Sequence, residues 1–369
     1  MSRFPKVVVV GQGIAGTAAA WRAAELGAAV TVVAAGAGAS TLASGALDHT
    51  PWEDLVRAAR TTGAEPACGP LDEGVFAFAE ALGSWRIPRA GDPMARLATL
   101  AGRTRPSRGH DLSLLDLAAI PGGTVAVPRA SRAAWDADSL ATFWNDDPFV
   151  RARGLRFAPI DVALLRYEGE DRIADADLAA RHDDPARVAW LAQRLRDAFA
   201  REKLAPAAVI LGPWLGASAP CAADLTARLG IPAGEALTGA GSPAGLRFAR
   251  AAGRLLARAQ VRVLAARVLA IAPPEGAAET GSLRPGETGS LRPAESGSLR
   301  PGESGGLPVP ESGRVPESIR LAGLRAVLKL EGEDPLRADR VVLACGGLTG
   351  GGVMGACGYN AAREILRDG

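Results

Sequence analysis

The run VVVVGQGIAG, residues 7–16, decides the fold of this chain. Val7 to Val10 form a β-branched stretch suited to a strand buried on both faces of a parallel sheet. Gly11, Gln12, Gly13, Ile14, Ala15 and Gly16 then spell GxGxxG. In this spacing the first glycine permits a tight turn, the second lets a pyrophosphate approach the backbone, and the third lets helix pack on strand. A helix from about Ile14 to Leu26 would aim its N-terminal amides at that phosphate, and Gly27 would end it. Val30 to Val33 complete a βαβ unit of roughly thirty residues. A ribose-binding Asp or Glu is expected at the end of the second strand, and the sequence has Ala34 and Ala35 there instead. Losing that charge-assisted hydrogen bond costs about 1.5–3 kcal/mol. Nor does an arginine follow to receive a 2′-phosphate. Arg3, Lys6 and the apolar run superficially imitate a secretory leader, but the glycines and the uninterrupted strand–helix–strand pattern favour the phosphate cradle.

The composition sets the wider bounds. With 369 residues the chain has room for two or three domains. A net charge of +2, from 42 Lys plus Arg against 40 Asp plus Glu, lacks the basic footprint of a nucleic-acid binder. The four cysteines, Cys68, Cys221, Cys345 and Cys357, are scattered without CxxC spacing, so neither a zinc site nor a redox dithiol is indicated. No apolar run reaches the length of a membrane-spanning helix. The expectation is a soluble protein of the cytoplasm with reduced thiols. GxSxG is absent, and hydrolase chemistry has no support.

Outward from the cradle, residues 36–48 are rich in small polar groups, among them Ser40, Thr41, Ser44 and Gly45. They admit close approach to a flat ring, or they form an ordinary surface loop. Thr50, Pro51, Trp52 and Glu53 form a capping box with proline at the first helical position. From there to Gly241 the Rossmann rhythm is lost, and the text reads as a mainly helical inserted domain. Its clearest helix starts at Asp184–Pro185 and buries Val188, Leu191, Leu195 and Phe199. A second helix follows Ser242–Pro243 with Leu246, Arg247, Phe248, Ala251, Leu255 and Leu256, and leads into strand character at Val261 to Leu264. The octapeptide ETGSLRPG at residues 279–286 repeats twice with small changes and decays by Ser318. It holds too little apolar mass to bury anything and too much Gly, Ser and Pro for a helix, so residues 275–318 read as a disordered loop tip. The flanks, Val261 to Ile271 and Ile319 to Lys329, read as two arms of an antiparallel hairpin or meander.

Val341, Val342, Leu343, Ala344, Cys345, Gly346 and Gly347 form a returning strand and turn. A short helix, Ala361 to Arg367, follows Gly358, Tyr359 and Asn360. Set facing a flavin, its N-terminus would stabilise negative charge on the ring by about 0.3–1 kcal/mol.

These stretches, together with ASTLASGALD, ILGPWLG at 210–216, GSPAGLRF at 241–248 and VVLACGG, resemble the FAD-dependent oxidoreductase superfamily that includes fumarate reductase flavoprotein subunits. Within it the chain is most similar to the B subunits of anaerobic glycerol-3-phosphate dehydrogenases. The resemblance covers most of the chain outside the repeat. It implies an α/β fold: a Rossmann-like FAD/NAD(P)-binding domain with parallel sheet and β-meander, made of residues 1–50 and 242–369. Residues 51–241 would be the inserted, mainly helical substrate or cap domain. It implies FAD or FMN as cofactor; the cradle suits a pyrophosphate and puts FAD first. The implied contacts are Gly11, Gln12, Gly13, Ile14, Ala15, Gly16, Ala34, Ser44, Gly45, Ala344, Cys345, Gly346 and Asn360, with no metal. It further implies electron transfer from a small anionic polyol phosphate to a second flavin subunit and an iron–sulfur subunit, which would tie the chain peripherally to a membrane. No cluster ligand array exists in this chain.

The residues single out no catalytic acid or base. His49, beside Asp48, reads either as a proton-transfer group or as a surface or cap histidine. Arg247 reads either as a bidentate clamp for an anionic substrate or as a structural arginine. Two functional classes stand: a turning-over flavin oxidoreductase subunit, or a structural or flavin-free Rossmann-like interaction subunit. Ala34 and the returning strand disfavour an NAD dehydrogenase.

Overall fold

The computed structural model describes residues 4–47, 71–89, 91–273, 321–322 and 326–344. The capping box at 50–53, His49 with Asp48, Cys68, the octapeptide repeat, Cys345, Gly346, Cys357, Asn360 and the helix expected at 361–367 lie outside the described residues.

The valine run forms β1 (Lys6–Val10), with Val7, Val8 and Val9 buried. Helix α1 (Ile14–Glu25) follows, and then β2 (Ala29–Val33). The buried residues of α1 are mostly alanines, with Gly16, Thr17 and Trp21. Side chains this short let the helix axis lie close over the sheet, which explains how a core poor in large residues still packs densely. β1 pairs in parallel with β2 on one side and with β16 (Arg340–Leu343) on the other. β11 (Arg262–Leu264) adds in parallel beyond β2, and β13 (Leu321–Ala322) adds antiparallel beyond β16. The order β11-β2-β1-β16-β13 reproduces the 3-2-1-4 arrangement of a doubly wound sheet over its parallel part.

The two arms expected to form one hairpin each divide between two sheets. In the first, β11 joins the parallel sheet, and only β12 (Val268–Ala272) turns out to pair antiparallel with β14 (Ala326–Leu330). In the second, β13 stays with the main sheet and β14 goes to the meander, which β15 (Leu336–Ala338) completes. A chain kept in one straight hairpin would leave the outer edges of β2 and β16 unpaired, and the division covers both edges.

The intervening segment departs from the mainly helical expectation: it holds the short strands β3 (Trp85–Arg86), β4 (Ala95–Ala98), β5 (Thr104–Ser107) and β6 (His110–Asp111), with β3 paired antiparallel to β6 and β4 to β5. β7 (Gly123–Pro128), β8 (Leu155–Ile160), β9 (Ala208–Leu211) and β10 (Ala233–Glu235) form a second parallel sheet in the order β10-β9-β7-β8. Helices α2 (Leu71–Leu82), α3 (Ala137–Asn145), α4 (Pro148–Ala152), α5 (Asp175–Arg181), α6 (Pro185–Glu202) and α7 (Ala222–Leu229) are interspersed. The strands are short apolar runs without alternation, which periodicity alone does not separate from buried helix. Their largely aliphatic core holds an aromatic cluster. Trp135 lies 6.2 Å from Trp144 and 5.5 Å from Trp214, ring centre to centre, and Trp144 lies 4.9 Å from Phe157. In α6, Val188, Leu191 and Leu195 are buried as the spacing requires, but Phe199 is only half-buried, as is Trp190 beneath the Arg187 guanidinium at 4.7 Å.

α8 (Pro243–Arg258) returns the chain to the first sheet and packs on α1 and α2. Phe248, Ala251, Leu255 and Leu256 are buried as expected, but Leu246 is 37% exposed and its neighbour Arg247 is 0% exposed. No helix among the described residues is long and apolar enough to cross a membrane.

Candidate functional site

The cradle is built by backbone. Gly11 adopts φ +109°, a conformation that favours glycine, and its N–H donates to the Val33 carbonyl (2.8 Å), fastening the turn to β2. Gly16 faces that same turn: a Cβ there would lie 2.0 Å from the Gly11 carbonyl oxygen and 3.3 Å from the Ala344 Cβ. Gly13, the helix N-cap, is different. Its extended backbone suits any residue, and a Cβ would meet only the Ser40 Oγ, at 3.5 Å. Its bareness therefore serves the approach of something from outside. The first turn of α1 carries no acidic residue, so the helix dipole is left free for an anion.

Of the small polar groups in residues 36–48, it is Ser40 whose hydroxyl reaches the cradle. It sits in the short 3-10 helix Ala39–Leu42, and its hydroxyl accepts the Ile14 N–H at 3.0 Å. Gly38 lies directly on the cradle, where a Cβ would come within 3.0 Å of the Gly13 nitrogen. The legible signal was distance along the chain: Ser40 is the first hydroxyl after β2, reached through glycines that let the loop fold back.

The structure brings Gly11, Gly13, Gly16, Ser40 and Ala344 together. The Ala344 N–H donates to the Val10 carbonyl (2.8 Å), which sets the returning strand beside the cradle. Ala34 ends β2, buried, and its N–H is taken by the Leu264 carbonyl (3.0 Å). Gly45 stands at φ +93° on a different surface, packed against Ala244, Asp111 and Leu114. Ser44 beside it is half-buried.

Behind this loop lies a buried ion cluster. Arg247 donates through Nε to Asp111 Oδ1 (2.9 Å), through Nη1 to the Gly216 carbonyl (2.6 Å) and Glu235 Oε1 (3.3 Å), and through Nη2 to Glu235 Oε2 (2.7 Å). Nη2 also lies 2.8 Å from Asp111 Oδ1. All three guanidinium nitrogens are thus engaged within the protein, and the side chain is structural here, not a clamp open to substrate. Burial pushes the Glu235 carboxyl up to about 7 against the pull of Arg247. His110, whose Nδ1 lies 2.9 Å from the Asp111 carbonyl, is driven toward its neutral form by burial.

Among the described residues, aromatic side chains occupy the place where the strand order of the second sheet reverses, between β7 and β9. Trp214 lies over Gly212, where a Cβ would meet its ring at 2.4 Å, and donates from Nε1 to Asp175 (2.9 Å). Trp135 and the Arg132 guanidinium, which also pairs with Asp175, fill the rest. No cluster of His, Cys, Asp and Glu suited to a metal occurs among the described residues.

Residues 6–52 match the FAD binding domain family. The match covers β1, the cradle, α1, β2 and the loop through Ser40 to Gly45. The chain binds FAD, and the residues present fit its pyrophosphate: bare backbone at Gly13, a dipole without competing carboxylate, and the Ser40 hydroxyl. The chemistry indicated is that of a flavin-dependent oxidoreductase. No curated protein matches the chain.

Proposed function

We propose that this chain is a flavin-dependent oxidoreductase subunit of a complex like anaerobic glycerol-3-phosphate dehydrogenase, passing electrons from a small anionic polyol phosphate to a partner. The observation that carries the reading is the convergence of Gly11, Gly13, Gly16, Ser40 and Ala344 within the segment that matches the FAD binding family and the strand returning to it. FAD, when bound, supplies the hydride and electron chemistry. The chain's own part is to hold it: the amides opening α1 and the Ser40 hydroxyl face the pyrophosphate, and Gly13 leaves room for its approach. Residues 51–241 would serve as the cap over the flavin, with Ser44 against the ring. The sequence has no cysteine array for an iron–sulfur cluster, so that centre would belong to a partner, together with a second flavin subunit and any peripheral attachment of this cytoplasmic subunit to a membrane.

A second reading, an FAD-holding interaction subunit without turnover of its own, is favoured by Arg247, whose cationic head is wholly occupied within the protein. The two separate in one experiment. The chain is purified, its cofactor released and identified by mass, and glycerol 3-phosphate added anaerobically to the chain alone and with its partner subunits. Bleaching of this chain's flavin supports turnover. Bound FAD that stays oxidised in both arms supports the interaction subunit.

A further inference from the structure

Residues 41–45 of the FAD-matching segment are gripped from two sides. On one side is the first turn of α8. Gly245 closes on the Thr41 carbonyl so tightly that a Cβ would lie 1.9 Å from its oxygen. The Ser242 hydroxyl donates to the Ala43 carbonyl (3.3 Å), and the Gly241 N–H donates to the Leu42 carbonyl (3.1 Å). On the other side is β6 (His110–Asp111), where the Asp111 N–H donates to the Gly45 carbonyl at 2.7 Å. The two grips are joined by one buried ion pair, Arg247 of α8 with Asp111. Glu235, from the end of β10 in the second sheet, completes it and takes the Leu215 N–H as well. Both carboxylates and the guanidinium are within 2% of complete burial.

The charges do not balance: two carboxylates face one guanidinium. Asp111 Oδ2 is buried without a hydrogen-bond partner, which marks the site as one charge short of satisfaction. FAD, when bound, would bring further negative charge to the cradle, which Ser40 and Gly38 of the same loop meet. A net negative cluster opposes that arrival, and a proton on the cluster relieves it.

We propose that Arg247, Asp111 and Glu235 form a positioning cluster that holds residues 41–45 in place for FAD, and that the cluster takes up a proton at Glu235 when FAD binds. The inference rests on FAD binding and not on the identity of the substrate. Glu235 is the member poised for the proton, since burial sets its carboxyl near 7 while Arg247 stays charged. His110, flanked by Asp116 and Arg86, is held neutral by burial, and the Cys221 thiol is pushed up to about 11. Asp183, which bears on Cys221, is tied to Ser218 and Arg250.

The test is the affinity of the stripped full-length chain for FAD, titrated by flavin fluorescence from about pH 6 to about pH 8.5, in wild type and in Glu235→Gln, with apo-protein melting recorded alongside. Linkage sets the expected slope at up to about tenfold weaker binding per pH unit above neutrality in the wild type, and a flat profile in Glu235→Gln. Arg247→Lys, which keeps the charge but loses the fork, is expected to weaken FAD about tenfold or more with every cradle residue untouched. A merely structural cluster would lower the melting temperature and leave both profiles parallel, which overturns the coupling. A wild-type chain that binds no FAD at all overturns the cofactor assignment and the proposal with it. A pH-independent wild-type affinity overturns the proposal alone.

Discussion

Gly13 and Gly16 belong to one motif, yet the structure assigns them different work, and alanine at each position separates the two. At Gly16 the added methyl would sit 2.0 Å from the Gly11 carbonyl oxygen and 2.9 Å from its carbon. Both are backbone atoms in the turn that fastens β1 to β2, so no rotamer change relieves the overlap and α1 must move off the sheet. Overpacking of this kind costs about 1–3 kcal/mol, and a rigid backbone neighbour puts this case at the upper end. In a chain this long each kcal/mol moves the melting temperature by about 2–4 °C, which gives a fall of roughly 6–12 °C for Gly16→Ala. At Gly13 the methyl meets only the Ser40 Oγ at 3.5 Å, an ordinary contact, on backbone that any residue adopts. The apo-protein should therefore melt within about 2 °C of wild type. What Gly13→Ala loses is the approach of the pyrophosphate to the amides. One charge-assisted hydrogen bond forgone, at about 1.5–3 kcal/mol, weakens FAD roughly 10- to 150-fold. Gly253 of α8 is the control: it is exposed, a Cβ there meets nothing within 4 Å, and alanine should stabilise the helix by about 0.8–1 kcal/mol. Melting curves of the three apo-proteins and FAD titrations decide the matter. Wild-type FAD affinity in Gly13→Ala, or wild-type melting in Gly16→Ala, would refute the division of labour.

Ser40→Ala removes the hydroxyl that accepts the Ile14 N–H and is expected to cost about 0.5–2 kcal/mol in apo stability, read by urea unfolding. Arg247→Met leaves Asp111 and Glu235 buried without their cation and should destabilise by about 3–5 kcal/mol, whereas joint replacement of all three by apolar residues of matched volume recovers most of that loss. Two buried groups pull the pH dependence of stability in opposite directions. Glu235, raised to about 7 from 4.5, contributes stability that is complete below about pH 4.5 and lost as pH rises through 7; His182, lowered to about 4 from 6.5 chiefly by burial, contributes stability that is complete above about pH 6.5 and lost as pH falls through 4. The slopes largely cancel between about pH 4.5 and 6.5, so Glu235→Gln should show stability rising with pH in that window and His182→Gln stability falling, as measured by urea midpoints.

The first βαβ unit was legible because every local rule agreed there: β-branched run, three glycines with separate reasons, alanine-faced helix, second valine strand. The second sheet was not. VAVP at 125–128 and AVIL at 208–211 are strands of four to six residues buried on both faces, and such runs carry no alternation to mark them. The prolines and glycines around them, Pro121, Gly122, Gly123, Pro128, Pro206, Gly212 and Pro213, read as helix punctuation. The divided hairpin was invisible for a related reason, since the choice of β11 for the parallel sheet rests on the exposed edge of β2 and not on anything in residues 262–264 themselves.

Arg247 shows where sequence reasoning stops. On a helix that begins Ser-Pro, periodicity places Leu246 and Phe248 among the apolar contacts and leaves an arginine between them to solvent or ligand. The structure inverts this, exposing Leu246 and burying Arg247 completely. The cause lies in two residues distant in sequence: Asp111 is 136 positions away, Glu235 is 12, and neither announces itself in a segment with ordinary acidic content. A helix can bury an arginine only when partners for all its donors are already assembled, so the burial of Arg247 depends on the second sheet delivering Glu235 and Gly216 to the same point. The cluster therefore forms only when both sheets are in place. That dependence makes the loop at 41–45, and with it the grip on FAD, a product of the whole chain and not of the matched segment alone.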